Sequence, residues 1–144
     1  MISTNRLQIH EIFNLVDSSS SKEDKVKILR KHASMPLFDV CRGFFDPKIQ
    51  WNLPAGEPPY TPYEEGPPPS SLLKQHLKFK YFVSGLQESE RLDKVRREKM
   101  FLNILESVDP GDATLLASMI NKPETVKGLS VEIIKEAFPD LIQD

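Results

Sequence analysis

Three histidines, one cysteine and an adjacent pair of glutamates are the side chains with which this sequence could carry out chemistry, and each type sets conditions on its neighbours. A metal centre needs several His, Cys or carboxylate ligands at short, fixed spacings or brought together by the fold. His10, His32 and His76 lie far apart with no cysteine or carboxylate partner at ligand spacing, so no metal is expected. Nucleophilic catalysis by Cys41 would need an activating histidine and an exposed thiol, whereas its neighbours Val40 and Phe44 mark a buried small hydrophobe. Glu64 and Glu65 sit in a proline-rich stretch, a poor support for paired acid–base work. A glycine-rich phosphate loop is missing from the sequence. The expectation is therefore a protein that is not an enzyme, with no catalytic residue and no cofactor.

Cationic side chains offer a different chemistry, contact with phosphate. The net charge is −2, too negative for a protein that holds duplex DNA by bulk electrostatics alone. Its distribution is uneven. Residues 1 to 50 carry eight Lys/Arg against six Asp/Glu, and residues 71 to 108 carry eight against five. Residues 109 to 144 reverse the balance, with three bases against seven acids. A basic stripe on one face is compatible with this pattern.

The elements that must position these groups read as helices. At 144 residues and 39% hydrophobic, the chain can bury one helical core, so a single domain over residues 1–144 is expected. It holds no apolar run of the roughly 18 residues that span a bilayer. The start, MISTNRLQIHEIF, lacks a basic region followed by an apolar signal core. A single cysteine rules out an internal disulfide framework and fits a reducing compartment. These features predict a soluble intracellular protein without a membrane partner.

Leu7, Ile9, Ile12, Phe13, Leu15 and Val16 recur at helical spacing and stop at the turn Asp17 to Ser21. Ser20 with Glu23, or Ser21 with Asp24, opens a second helix whose outer face is basic: Lys22, Lys25, Lys27, Arg30 and Lys31. A third starts near Ser34 and Pro36, turns Leu37, Val40, Cys41 and Phe44 inward, and ends at Asp46-Pro47. Seven of the 12 prolines fall in residues 52–71, which excludes helix or central strand there. That segment reads as an extended surface crossing docked by Trp51, Tyr60 and Tyr63, or alternatively as a proline-rich recognition segment. Helical pattern resumes with Leu73, Leu77 and Tyr81 on one line, Phe79, Phe82 and Val83 beside it, and Gly85 as C-cap. Asp93 caps a helix through Val108, Asp109-Pro110 starts the next, and Ser130 caps a last short one that ends at Phe138-Pro139. The result is an all-α fold of about seven helices.

The phrases ILESVDPGDATLLASMIN and KGLSVEIIKEAFPDLI resemble the end of the DNA-binding domain that precedes the catalytic core in ATP-dependent DNA ligases, phage-type enzymes in particular. In a ligase this ending leads into a nucleotidyltransferase domain with a Lys-x-Asp-Gly motif, which is absent from the sequence. The likeness extends forward: a first helix, a Ser-rich turn with a basic helix (SSSSKEDKVKILRKH), a short helix and a proline-containing crossing keep the same order. Arg91, Leu92 and Asp93 of ESERLDKVRREKM align with the basic–leucine–polar loop before the penultimate long helix. INKPETVKGLS stands at a later ligase loop, keeping Lys122 and Gly128 but placing Pro123-Glu124 where the family has Asp-Leu. The whole chain is also similar to small proteins of T-even-like marine phages that share IHEIF, the WNLP crossing and EAFPxLI. A host-cytoplasm location follows from that likeness.

Such ligase domains bridge the minor groove with helix N-termini and loops, whose unpaired N–H groups at the positive end of the dipole suit phosphates. The resemblance therefore implies a DNA-contacting module without the chemistry. Its contacts would be the helix starts at 94 and 131, with Arg91, Lys94, Arg96, Arg97, Lys99, Lys122, Lys127 and Gly128. Contacts of this kind read no sequence. The alternative is a protein-interaction module that binds a replication or transcription component of phage or host, through Trp51 to Tyr63 or the C-terminal AFPDLIQD. Acids at 109, 112, 124, 132 and 136 favour that alternative if they share the basic face.

Overall fold

In the computed structural model, which describes residues 7–142, short capping signals set where each helix begins. α1 (Ile9–Ser18) opens with the Glu11 carboxylate accepting the Gln8 N–H at 2.7 Å. Ser21 caps α2 (Lys22–Lys31) by accepting from Asp24, and Ser34 caps α3 (Met35–Phe45), with Pro36 in its first turn. α3 stops where expected, because proline at 47 holds Asp46 extended at ψ 114°. Further along, Asp93 caps α6 (Lys94–Ser107), Asp109 caps α7 (Pro110–Met119) and Ser130 caps α8 (Val131–Ala137). Replacing any one of these oxygens typically costs about 1 kcal/mol.

These helices share one apolar centre. α1 packs on α2 and α7, α2 on α8, and α3 and α6 on α7. Phe13, Val16, Leu29, Leu37, Val40, Phe82, Leu105, Leu116 and Ile134 are fully buried in a single connected cluster. The fold is all-α, as expected, although Leu15, counted among the apolar residues at helical spacing in α1, is exposed.

Residues 72–90 depart from the expected single helix. α4 (Leu72–Gln75) passes directly into a 3-10 segment, His76–Phe82, and a further short helix α5 (Gln87–Glu90) follows Gly85, whose φ is +90°. The tighter winding eclipses residues three apart. His76, Phe79 and Phe82 thereby form the buried line with Leu72, and the line of Leu73 and Leu77 is left in solvent. His76 takes an inward place because the Asp39 carboxylate meets its Nδ1 at 2.6 Å.

The proline-rich crossing is docked. Trp51 bridges antiparallel to Val83, donates its indole N–H to the Gly43 carbonyl at 3.1 Å, and meets Phe79 edge to face. Asn121 brackets Gly56 with two hydrogen bonds, Glu106 accepts the Thr61 N–H at 2.8 Å, and the Ser70 N–H reaches the Ser107 carbonyl. Gly43 makes this seat possible: a Cβ there would lie 2.7 Å from Trp51 Cζ2 and collide with the Met119 sulfur. Gly43→Ala should therefore destabilise by about 1–3 kcal/mol despite better helix propensity. Urea denaturation checks this, and a stabilised variant would show that Trp51 has room to move.

Candidate nucleic-acid interface

The sequence placed its candidate cations at two helix starts, and the fold holds those starts on different supports. Arg91 ends α5, while Lys94, Arg96 and Lys99 project from the first half of α6, all exposed. Lys122, Lys127 and Gly128 belong to the connection between α7 and α8, which is tied elsewhere. Lys122, at a left-handed φ of +48°, donates to the Asp46 carbonyl at the end of α3 at 2.6 Å. Burial lowers its pKa, and the Asp46 carboxylate partly opposes that shift. Lys127 donates to the Asn14 side chain of α1 at 2.7 Å, and the Gly128 carbonyl accepts from Lys25 of α2 at 2.8 Å. Lys122 in particular is a C-capping group for α3 rather than a phosphate ligand.

Arg97 requires the larger correction. It is 9% exposed, and its guanidinium donates to three backbone carbonyls: Asn52 at 2.8 Å, Ser89 at 3.1 Å and Leu92 at 2.9 Å. The residue pins the crossing, α5 and α6 to one another, so its Nε and Nη1 donors are spent inside the fold. Its helical position explains this, since Arg97, Phe101, Ile104 and Leu105 share the inward side of α6.

Much of the basic face of α2 is also used internally. Arg30 reaches the Glu136 and Ala137 carbonyls at the end of α8, and Lys22 pairs with the Glu136 carboxylate at 3.1 Å. Around α4 and α6 the pattern is different. Among the described residues, no carboxylate oxygen lies within 4.0 Å of Lys74, Lys78, Arg91, Lys94, Arg96 or Lys99. Lys27, Lys31 and Lys48 are likewise unpaired, on α2 and after α3. Two grooves flank α6. One, of about 230 Å³, is lined by Gln75, Lys78, Met100, Asn103, Ile104 and Ser107. The other, of about 280 Å³, runs from Trp51 to Pro54 beside Lys94, Arg97 and Glu98. Arg96, Lys99 and Asn103, at i, i+3 and i+7, form the exposed stripe between them.

The helix start itself is less open to phosphate than expected, because Asp93 fills it and accepts the Arg96 N–H at 2.8 Å. A carboxylate at that point repels an incoming anion. Contact there must come from side chains.

Two of the three histidines, His10 and His76, have partners that sequence spacing did not reveal. Asp112, 0% exposed, accepts the backbone N–H of His10 and faces its Nδ1, both at 2.8 Å, while His10 Nε2 lies 3.7 Å from Asp109. His76 and Arg42 share Asp39 in the same manner. These pairs are separated by 102 and 37 residues, so only the fold joins them. Among the described residues, no three His, Cys, Asp or Glu side chains are placed to hold one metal ion. Cys41 is fully buried, and burial pushes its thiol up to about 12.

Of the two segments considered for protein recruitment, Trp51 to Tyr63 is docked through Trp51, Gly56 and Thr61, and AFPDLIQD is engaged through Phe138 and Ile142, its Gln143 and Asp144 lying outside the described residues. Trp51 is docked as above; Phe138 stacks edge to face on Phe38 at 4.9 Å, and Ile142 is buried. No helix among the described residues is long and apolar enough to cross a membrane. Residues 12–125 match the model of a family described only as a family of unknown function (DUF6433). No curated protein and no solved structure matches the chain.

Proposed function

For a chain that belongs to the DUF6433 family of unknown function, we propose a non-enzymatic accessory role in phage DNA metabolism, binding duplex DNA without sequence preference through the exposed face of α6. One observation carries this reading: Lys74, Lys78, Arg91, Lys94, Arg96 and Lys99 have no carboxylate partner among the described residues, whereas Lys122 and Lys127 of the α7–α8 connection are spent on internal hydrogen bonds. An ordinary solvated helix tends to pair its charges along its own surface. The ligase likeness of the sequence points to the same helix.

The contacts are side-chain contacts to phosphate, so affinity should be modest and strongly salt-dependent. A titration of fluorescent nicked and intact duplexes at low and physiological salt tests the reading. Binding in the micromolar range at low salt, falling steeply as salt rises, is expected. Arg96→Glu with Lys99→Glu should weaken it by about tenfold or more and lower the log–log salt slope by about 2, near 0.9 for each lost contact. Both residues are exposed, so helicity should be unchanged. Equal binding by the double variant would remove α6 as the contact face.

A further inference from the structure

Leu73 and Leu77 are 52% and 67% exposed although the opposite side of the same segment, Leu72, His76, Phe79 and Phe82, is buried. This is a supported ridge. Its base is held by the contact of His76 with Asp39 and by the packing of Phe82 on Phe101. A cleft lies on each side. The larger, about 420 Å³, runs between the start of α1 and the entry to α3, with Leu7, Ile12, Pro36 and Leu73 on its walls and Lys31 at its edge. The smaller is the groove of Lys78 and Met100.

The ridge segment itself carries charge of one sign. Residues 71–86 contain Lys74, Lys78 and Lys80 and no acid. Neither cleft is lined by an aspartate or glutamate. Of the neighbouring carboxylates, Asp39 is already bound by His76 and Arg42, and Glu11, at the edge of the larger cleft, accepts the Gln8 N–H. We propose that this ridge and its two clefts dock an acidic amphipathic helix of a partner protein, whose apolar side covers Leu73 and Leu77 and whose carboxylates meet Lys31, Lys74 and Lys78.

The chemistry selects this occupant. Exposed leucines gain nothing from phosphate, and the two most exposed apolar side chains of the ridge are leucines rather than the aromatics on which bases stack. A helix with apolar residues at i, i+3, i+4 and i+7 fits a leucine ridge flanked by clefts, and acids on its margins answer the lysines. Docking here goes beyond DNA binding by α6: it shares Lys74 and Lys78 with the cations counted there, but rests on the exposed leucines Leu73 and Leu77 and the clefts beside them.

The test uses the full chain and a labelled synthetic peptide with leucines at helical spacing and glutamates on its other face. Two controls accompany it, one of equal composition with the leucines scattered and one with lysine for glutamate. The patterned acidic peptide should bind, and Leu73→Ser with Leu77→Ser should weaken it by roughly tenfold. Arg96→Glu with Lys99→Glu should leave it unchanged, which separates this outcome from failure of DNA binding. Equal binding of the scattered peptide, or no effect of the leucine variant, would overturn the proposal. So would leucine-dependent dimerisation in sedimentation, which would make a second copy the occupant. Leucine-dependent binding to phosphatidylserine vesicles in preference to the peptide would replace it with a membrane-surface site.

Discussion

Arg97→Ala should lower stability by about 3 kcal/mol or more, while Arg96→Ala, one residue away, changes it by less than about 0.5 kcal/mol. The difference lies in what each guanidinium touches. Arg97 is the donor for the carbonyls of Asn52, Ser89 and Leu92, and its removal strands acceptors in a site only 9% exposed. Each stranded buried acceptor costs about 1–3 kcal/mol, partly recovered where water enters the space left behind. In a chain of 144 residues the loss corresponds to a melting temperature lower by roughly 10 °C. Arg97→Lys should recover only part of it, because one ammonium cannot reproduce the fork that reaches three carbonyls. Thermal unfolding followed by circular dichroism checks the series. If Arg97→Ala melts with the wild type, those carbonyls are hydrated without it, and Arg97 returns to the list of DNA-contact candidates.

The same residue shows where sequence reading reaches its limit. Helix boundaries were legible because caps act within three residues: Ser21, Ser34, Asp93, Asp109 and Ser130 all accept the predicted kind of backbone hydrogen bond. The all-α class and the buried Cys41 followed from apolar spacing alone. What each cation does could not be read this way. Arg96 and Arg97 are adjacent and alike in sequence, yet a rotation of about 100° between neighbours puts one in solvent and the other beneath the crossing. Lys122 and Lys25 find carbonyls distant in sequence, at the end of α3 and in the α7–α8 connection, contacts that no local pattern encodes. The 3-10 winding of residues 76–82 had the same effect on the apolar side, exchanging the line of Leu73 and Leu77 for that of Leu72, His76 and Phe79. The histidines were discounted for want of partners at short spacing, and for His10 and His76 the carboxylates arrived from distant helices.

His10→Ala should cost about 2–4 kcal/mol near neutral pH, and the loss should shrink in acid. Asp112 is wholly buried at the joint of α1 and α7, and its Oδ2 has no hydrogen-bond partner among the described residues. Burial raises its pKa above the ordinary 3.8; the hydrogen bonds and charge of His10 pull it back, and the nearby Asp109 pushes it up again. A carboxyl with a raised folded-state pKa holds its proton more tightly folded than unfolded. Its contribution to stability is therefore favourable at low pH and declines as pH rises from 3.8 through the raised value. Without the imidazole the folded value climbs further, the decline continues to higher pH, and the buried carboxylate faces neutral solution with only one backbone N–H. Asp112→Asn removes the titration altogether, so its stability relative to the wild type should improve as pH rises across that window. Urea denaturation at a series of pH values reads both variants. A His10→Ala deficit constant from acid to neutral pH would mean that imidazole packing on Gly111, where a Cβ would fall on the ring, holds α1 to α7 rather than the buried carboxylate.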